Sequence, residues 1–175
     1  MIPNDRFCAS RHFALAGRPN LSVTPLKTSV LVLLLSLAAC APRLQPAGPP
    51  IMEPLLAGER FMAADGAALP VRSWQPEGPV KAVILALHGF NDYSNAFDAP
   101  ARFLAGRGIA TYAFDQRGFG AAPHIGIWPG IPTLTSDLAA LAAVLRDCHP
   151  DTPLYLLGDS MGGAVIMVAL ANGGA

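Results

Sequence analysis

Between Lys81 and Leu87 the chain reads KAVILAL, an apolar run with almost no alternation. A run of that kind suits a strand covered on both faces, as in a parallel sheet. Ile109 to Phe114 (IATYAF) repeats the pattern, and Leu154 to Leu157 supplies a third short buried run. Between these runs the apolar period changes to that of a helix. Phe97, Ala101 and Leu104 share one helical face, with Gly106 and Gly108 as the stop. Leu134, Leu138, Leu141 and Leu145 mark a second amphipathic helix, with Thr133 or Thr135 as its cap and Pro150 as its close. Met161 to Ala171 predicts a third helix, ended by Asn172-Gly173-Gly174. Ahead of all these, Phe61 to Ala64 and Ala68 to Trp74 flank Asp65-Gly66, which predicts an antiparallel hairpin at the first edge of the sheet. Strands alternating with helices at these lengths predict a doubly wound α/β fold, a mostly parallel sheet with helices on both faces.

The N-terminal apolar run behaves differently. Val30 to Ala39 (VLVLLLSLAA) follows Lys27 and Arg18 and ends on small residues, the order of a secretory signal peptide. It is too short to stay in a bilayer as a helix, which needs about 20 apolar residues. Leu37-Ala38-Ala39-Cys40 resembles the lipobox of bacterial lipoproteins. The resemblance implies cleavage before Cys40 and acylation of its sulfur. Ala41 after the cysteine, with no Asp there, looks like an outer-membrane sorting signal. The expected location is therefore the cell envelope, lipid-anchored on the periplasmic face of the outer membrane. Met1 to Asn20 is longer than a usual n-region, as a start codon placed too far upstream would produce. Ala41 to Pro54 (APRLQPAGPPIMEP) is proline-rich and reads as an extended tether. The expected organisation is a signal peptide over 1–39, a tether over 40–56, and the front part of the α/β domain over 57–175.

Composition narrows the partners. The chain is 52% hydrophobic and 14% charged, with 12 basic and 12 acidic residues among its 175, which suits one globular domain. A net charge of zero and a pI near 6.9 leave no basic field for a phosphate backbone, so nucleic acid is excluded as a partner. No cofactor and no metal are expected. Cys8 leaves with the signal and Cys40 is acylated, so Cys148 is the one remaining thiol and no internal disulfide forms. Cys148 has no histidine motif around it and reads as a packing or surface thiol.

Gly158-Asp159-Ser160-Met161-Gly162 fits G-x-S-x-G and lies between a strand and a helix, the context that motif requires. The serine sits on a strained turn, where side chains two residues before and after it would collide. Ser160 is the candidate nucleophile. His88-Gly89-Phe90 closes the KAVILAL strand on the same sheet edge, so the Phe90 and Met161 amides are the candidate oxyanion donors. His88 is read as shaping the oxyanion loop rather than as a base. Asp115 and Arg117 are read as a mutual ion pair bracing their loop. Asp159 is read as pointing away from the nucleophile, and His124 and His149 receive no task.

HGF at 88–90, DQRGFG at 115–120 and GDSMGG at 158–163 together resemble the α/β-hydrolase group that contains monoacylglycerol lipases and lysophospholipases. The resemblance runs from about Phe61 onward. It implies a triad of Ser, Asp and His, with the serine at Ser160 and the oxyanion amides at Phe90 and Met161. In that order Asp and His follow the nucleophile helix, and neither lies within the 175 residues. The expectation is a lipid-anchored serine hydrolase of carboxylic esters, with a small-molecule or lipid ester as substrate, present as an N-terminal fragment that is inactive by itself. The alternatives are a peptidase or acyltransferase on the same fold, or a catalytically inactive envelope lipoprotein.

Overall fold

The computed structural model describes residues 29–30, 32–33 and 43–173. Two compact units divide at residue 41. The four described residues of the leading unit are helical, and Cys40 with its lipobox lies outside the described residues. Among the described residues no helix is long and apolar enough to cross a membrane.

The second unit carries six strands and three α-helices in chain order: β1 (Leu55–Ala57), β2 (Arg60–Met62), β3 (Ala68–Trp74), β4 (Ala82–Leu87), α1 (Asp98–Ala105), β5 (Ile109–Phe114), α2 (Ile131–Cys148), β6 (Leu154–Gly158) and α3 (Met161–Ala171). The strand order is β1-β2-β3-β5-β4-β6. β1, β2, β3 and β5 pair antiparallel in turn, whereas β5, β4 and β6 run parallel.

β4 and β5 are apolar on both faces because both faces are covered, whereas β6 leaves one face open, with Tyr155 58% and Leu157 39% exposed, which corrects the reading of Leu154 to Leu157 as a buried run. Val83, Leu85 and Leu87 of β4 point into a core shared with Leu134, Leu138, Leu141 and Leu145 of α2 and Val165 and Ala169 of α3. Ala86, one step out of phase, packs with Phe97 and Ala113 in a second cluster, with Ile84 against it. The two-residue period of a strand sends alternate side chains to opposite faces, so an unbroken apolar run is what two covers demand.

The hairpin forms as the sequence predicts, with Gly66 at φ +81° and its N–H donating to the Ala63 carbonyl at 2.8 Å. Two local expectations are corrected. The N-cap of α2 is Gly130, at φ +86°, and neither threonine caps it. Thr133 lies inside the helix and accepts the Ala47 N–H, while the Thr135 hydroxyl donates to the Ile131 carbonyl at 3.0 Å. A glycine does this because a positive φ turns the chain sharply into the helix at no steric cost. The second correction concerns the tether. Residues 43–54 are extended but bound: Gln45 N–H donates to the Trp128 carbonyl at 3.0 Å, Gly48 N–H to Asp65 Oδ2 at 2.9 Å, and Ile51 N–H to the Ala64 carbonyl at 2.7 Å. Leu55 and Leu56 already belong to β1. Proline removes donors but leaves its neighbours free to donate, and those neighbours anchor the segment.

Candidate active site

β4 and β6 are adjacent and parallel, with Leu87 opposite Gly158. That register brings the loop after β4 beside the turn after β6, although 70 residues of chain separate them. Asp159 N–H donates to the Leu87 carbonyl at 3.0 Å, extending the ladder one step into the turn.

Ser160 stands at φ +47°, ψ −109° as the residue before α3, and it is exposed. A non-glycine residue in that conformation is strained. The two flanking glycines have different reasons. A Cβ on Gly158 would run into the backbone of Gly162 and Gly163, a collision inside the turn, whereas one on Gly162 would strike the Leu87 carbonyl of β4. The second glycine therefore serves the contact between the turn and the neighbouring strand.

Gly89 lies directly against the serine: a Cβ there would come within 3.5 Å of Ser160 Cβ and 2.9 Å of Asp159 Oδ2. Asp159 thus rests its carboxylate over the loop. Met161 opens α3, so its N–H has no acceptor within the helix. The Phe90 N–H makes no hydrogen bond to another described backbone group, and the Phe90 side chain is 63% exposed.

His88 is fully buried. Its Nε2 accepts the backbone N–H of Gln116 at 3.0 Å, which leaves Nδ1 to carry the proton it donates to the Gly89 carbonyl at 2.8 Å. Gln116 Nε2 donates back to the His88 carbonyl at 2.9 Å. Burial is the main cause that lowers the His88 pKa from its ordinary 6.5, opposed first by the hydrogen bond to the Gly89 carbonyl and then by Asp115 and Asp92. The ring is neutral with both nitrogens engaged.

Asp115 and Arg117 do not pair, which corrects the sequence reading. Asp115 accepts the Ser94 and Ala121 N–H groups at 2.9 and 2.8 Å, joining the loops after β4 and β5. Arg117 forks to two other carboxylates: Nη1 and Nη2 reach Asp65 at 2.6 and 2.8 Å, and Nε and Nη2 reach Asp137 at 2.6 and 3.0 Å. The partnerships of Asp65, Asp137 and Gln116 are not marked in the sequence, because they lie 52, 20 and 28 residues from their partners. No local spacing marks them.

His124 is exposed in a loop at φ +61°, and His149 is half-buried with Nε2 2.9 Å from the Tyr112 hydroxyl. Cys148 is exposed. Among the described residues no cluster of three His, Cys, Asp or Glu could hold a metal.

A strand, a tight turn bearing an exposed serine at positive φ, and a helix, set beside a glycine loop from the next parallel strand, define the α/β-hydrolase class. The family model described as serine aminopeptidase, S33 matches residues 78–174, more than half of the chain, and the chain belongs to that family. Among curated relatives, monoglyceride lipase of Mus musculus is 31% identical over 110 residues, covering 62% of this chain and 36% of its own. Monoacylglycerol lipase of Mycolicibacterium smegmatis is 24% identical over 110 residues, covering 61% and 38%. The chain thus spans little more than a third of these relatives. Among solved structures, a soluble variant of monoglyceride lipase from Saccharomyces cerevisiae in complex with a substrate analog aligns at TM-score 0.50 and 28% identity, over 71% of this chain and 41% of its own. A thermostable carboxyl esterase from Bacillus coagulans aligns at TM-score 0.59 and 23% identity, over 66% and 40%, which speaks for the fold.

Proposed function

We propose that in the complete protein Ser160 is the nucleophile of a serine hydrolase acting on carboxylic esters of monoacylglycerol or lysophospholipid type. The observation that carries this reading is Ser160 itself, held exposed at φ +47° with Gly89 against it. Strain of about 1–3 kcal/mol at one residue persists where a fold enforces it, and such residues cluster at active sites. The similarity to a monoglyceride lipase and a monoacylglycerol lipase favours glycerolipid esters.

In this mechanism Ser160 Oγ bonds to the ester carbonyl carbon while its proton passes to a base. The carbonyl oxygen takes the negative charge and is received by the N–H groups of Phe90 and Met161. The C–O bond to the alcohol then breaks, and the alcohol leaves with the proton. Water repeats the sequence on the acyl-enzyme and releases the acid. His88 is not that base, since Gln116 and Gly89 occupy both its nitrogens. The base is the histidine, supported by an aspartate, that the family resemblance implies.

The same reading attaches the protein to a membrane through a lipidated Cys40, on the strength of residues 37–40. A second reading, hydrolysis of an N-terminal peptide bond, is favoured by the family description and uses the same serine.

The complete gene product is to be treated with a fluorophosphonate probe and assayed on a monoacylglycerol, p-nitrophenyl butyrate and an amino acid p-nitroanilide. Labelling lost in Ser160→Ala, with ester turnover well above anilide turnover, is the expected result. Labelling that survives Ser160→Ala overturns the nucleophile, and faster anilide turnover selects the peptidase. A wild type that neither labels nor turns over any substrate leaves an inactive envelope lipoprotein.

A further inference from the structure

The loop bearing the Phe90 amide rests on a chain of aromatic rings that ends at the extended N-terminal segment. Phe119, buried, meets His88 edge to face at a centroid distance of 5.7 Å and Phe90 at 5.4 Å. Phe119 also meets Trp128 edge to face at 6.4 Å. Trp128 is itself held from behind: its carbonyl accepts the Gln45 N–H at 3.0 Å, and Leu44 forms a parallel bridge with it.

A cleft of about 350 Å³ opens between the segment and the 117–129 loop, lined by Gln45, Gly48, Arg117 and His124 among others. The segment's hydrogen bonds run to Trp128 and, farther along, to Thr133, Asp65 and Ala64. The His88–Gln116 ring fixes the root of the oxyanion loop. It does not reach Phe90, whose exposed side chain has Phe119 as its aromatic support.

We infer that Trp128 is a positioning residue for the oxyanion loop, held by the segment at Leu44–Gln45 and acting through Phe119 on His88 and Phe90. The inference rests on the hydrolase reading for its effect on rate, but the mechanical linkage can be read without it. An oxyanion donor must lie where the developing charge will be, and its outright removal costs about 10²- to 10³-fold in turnover. Displacing one by loosening its support costs less, about tenfold, and acts on kcat rather than KM because the contact is made in the transition state.

The test uses the complete protein and three variants: Trp128→Ala, Trp128→Phe and Gln45→Pro. The last removes the backbone donor to Trp128 and replaces the Gln45 side chain, fixing φ in a segment that continues into Pro46. Hydrogen exchange over residues 88–94, with α1 (Asp98–Ala105) as internal reference, and kcat and KM on an ester are measured for each. Trp128→Ala and Gln45→Pro are expected to speed exchange at 88–94 and lower kcat about tenfold with KM within twofold, and Trp128→Phe to restore most of both. Folded variants with wild-type exchange and kcat overturn the inference. So does a rise in KM with kcat unchanged, which would place Trp128 in substrate binding. If Trp128→Ala does not fold, Gln45→Pro and Trp128→Phe decide the matter by the same readings. A wild type without turnover fails the hydrolase reading, while altered exchange in the variants still upholds the linkage.

Discussion

Gln116 donates its backbone N–H to His88 Nε2 at 3.0 Å and its side-chain amide to the His88 carbonyl at 2.9 Å, closing a ring between the ends of β5 and β4. A backbone amide can only donate, so this ring exists only while His88 is neutral. Adding a proton to Nε2 would set two donors face to face in a buried site.

That relationship makes stability depend on pH. The folded His88 pKa lies below 6.5, chiefly through burial. As pH falls below that ordinary value, the unfolded chain takes up a proton that the folded state refuses, so stability is full above it and declines toward the lower folded value. One such group contributes a slope of at most about 1.4 kcal/mol per pH unit. The hydrogen bond to the Gly89 carbonyl, then Asp115 and Asp92, moderate it by favouring the charged ring. Urea melts of wild type and His88→Gln at pH 7.5, 6.5 and 5.5 check this. The variant is expected to be weaker overall and to have the flatter pH profile; equal slopes would refute the prediction.

Arg117 holds two carboxylates in a space where all three side chains are at most 10% exposed. Arg117→Met leaves Asp65 and Asp137 buried without a cation, and the expected loss is about 3–5 kcal/mol. Arg117→Lys recovers little of it, since an ammonium cannot fork to both. Denaturant midpoints of the two variants test this, and a loss within 1 kcal/mol of wild type would show that the cluster relaxes.

The same cluster separates its two acids. The Arg117 hydrogen bonds hold Asp65 well below the usual carboxylate range, whereas burial pushes Asp137 up despite the same cation. Geometry supports both directions, because Asp65 also accepts the Gly48 and Ala67 N–H groups whereas Asp137, among the described residues, accepts from Arg117 alone. The Asp65 contribution is present above pH 3.8 and lost as pH falls through its lower folded value; the Asp137 shift works in the opposite sense above 3.8. Asp65→Asn is expected to flatten the acid limb below about pH 4, read as the melting temperature between pH 5 and 2. An acid limb as steep as wild type's would count against it.

Ser160 stores strain that a glycine would release. At φ +47° and ψ −109° the cost to a non-glycine residue is about 1–3 kcal/mol, against which glycine loses about 0.5–1 kcal/mol in unfolded-chain entropy. Ser160→Gly is expected to melt higher than Ser160→Ala, with neither variant labelling. Ser160→Ala melting as high as Ser160→Gly would deny the strain.

Cys40 is expected to carry lipid. Cells fed a clickable fatty acid should label the wild type and not Cys40→Ala, and equal labelling of both would end the proposal.

Much of the architecture was legible because it depends on neighbours in the chain. Apolar runs without alternation announced the covered strands β4 and β5, a helical period announced α2, and the turn at Asp65-Gly66 announced the hairpin. The three-residue β1 was not legible, since Leu55–Ala57 is too short to show a period and gains its pairing only from β2. The α2 cap was misread for a related reason. Thr133 has the chemistry of a cap, yet its hydroxyl is taken by Ala47 from a segment that no local rule brings there.

For the candidate site, the sequence by itself determined the serine and its glycines, because a sharp strand-to-helix turn is a local steric demand. Tertiary structure decided what surrounds them. Only the order β5-β4-β6 sets residues 88–90 beside Ser160, turns the Gly162 requirement toward Leu87, and gives His88 a partner in Gln116. The same packing gives Arg117 to Asp65 and Asp137 rather than to Asp115, two positions away. A charged side chain in a desolvated interior takes whichever opposite charges the packed elements bring within reach, and sequence distance has no part in that choice.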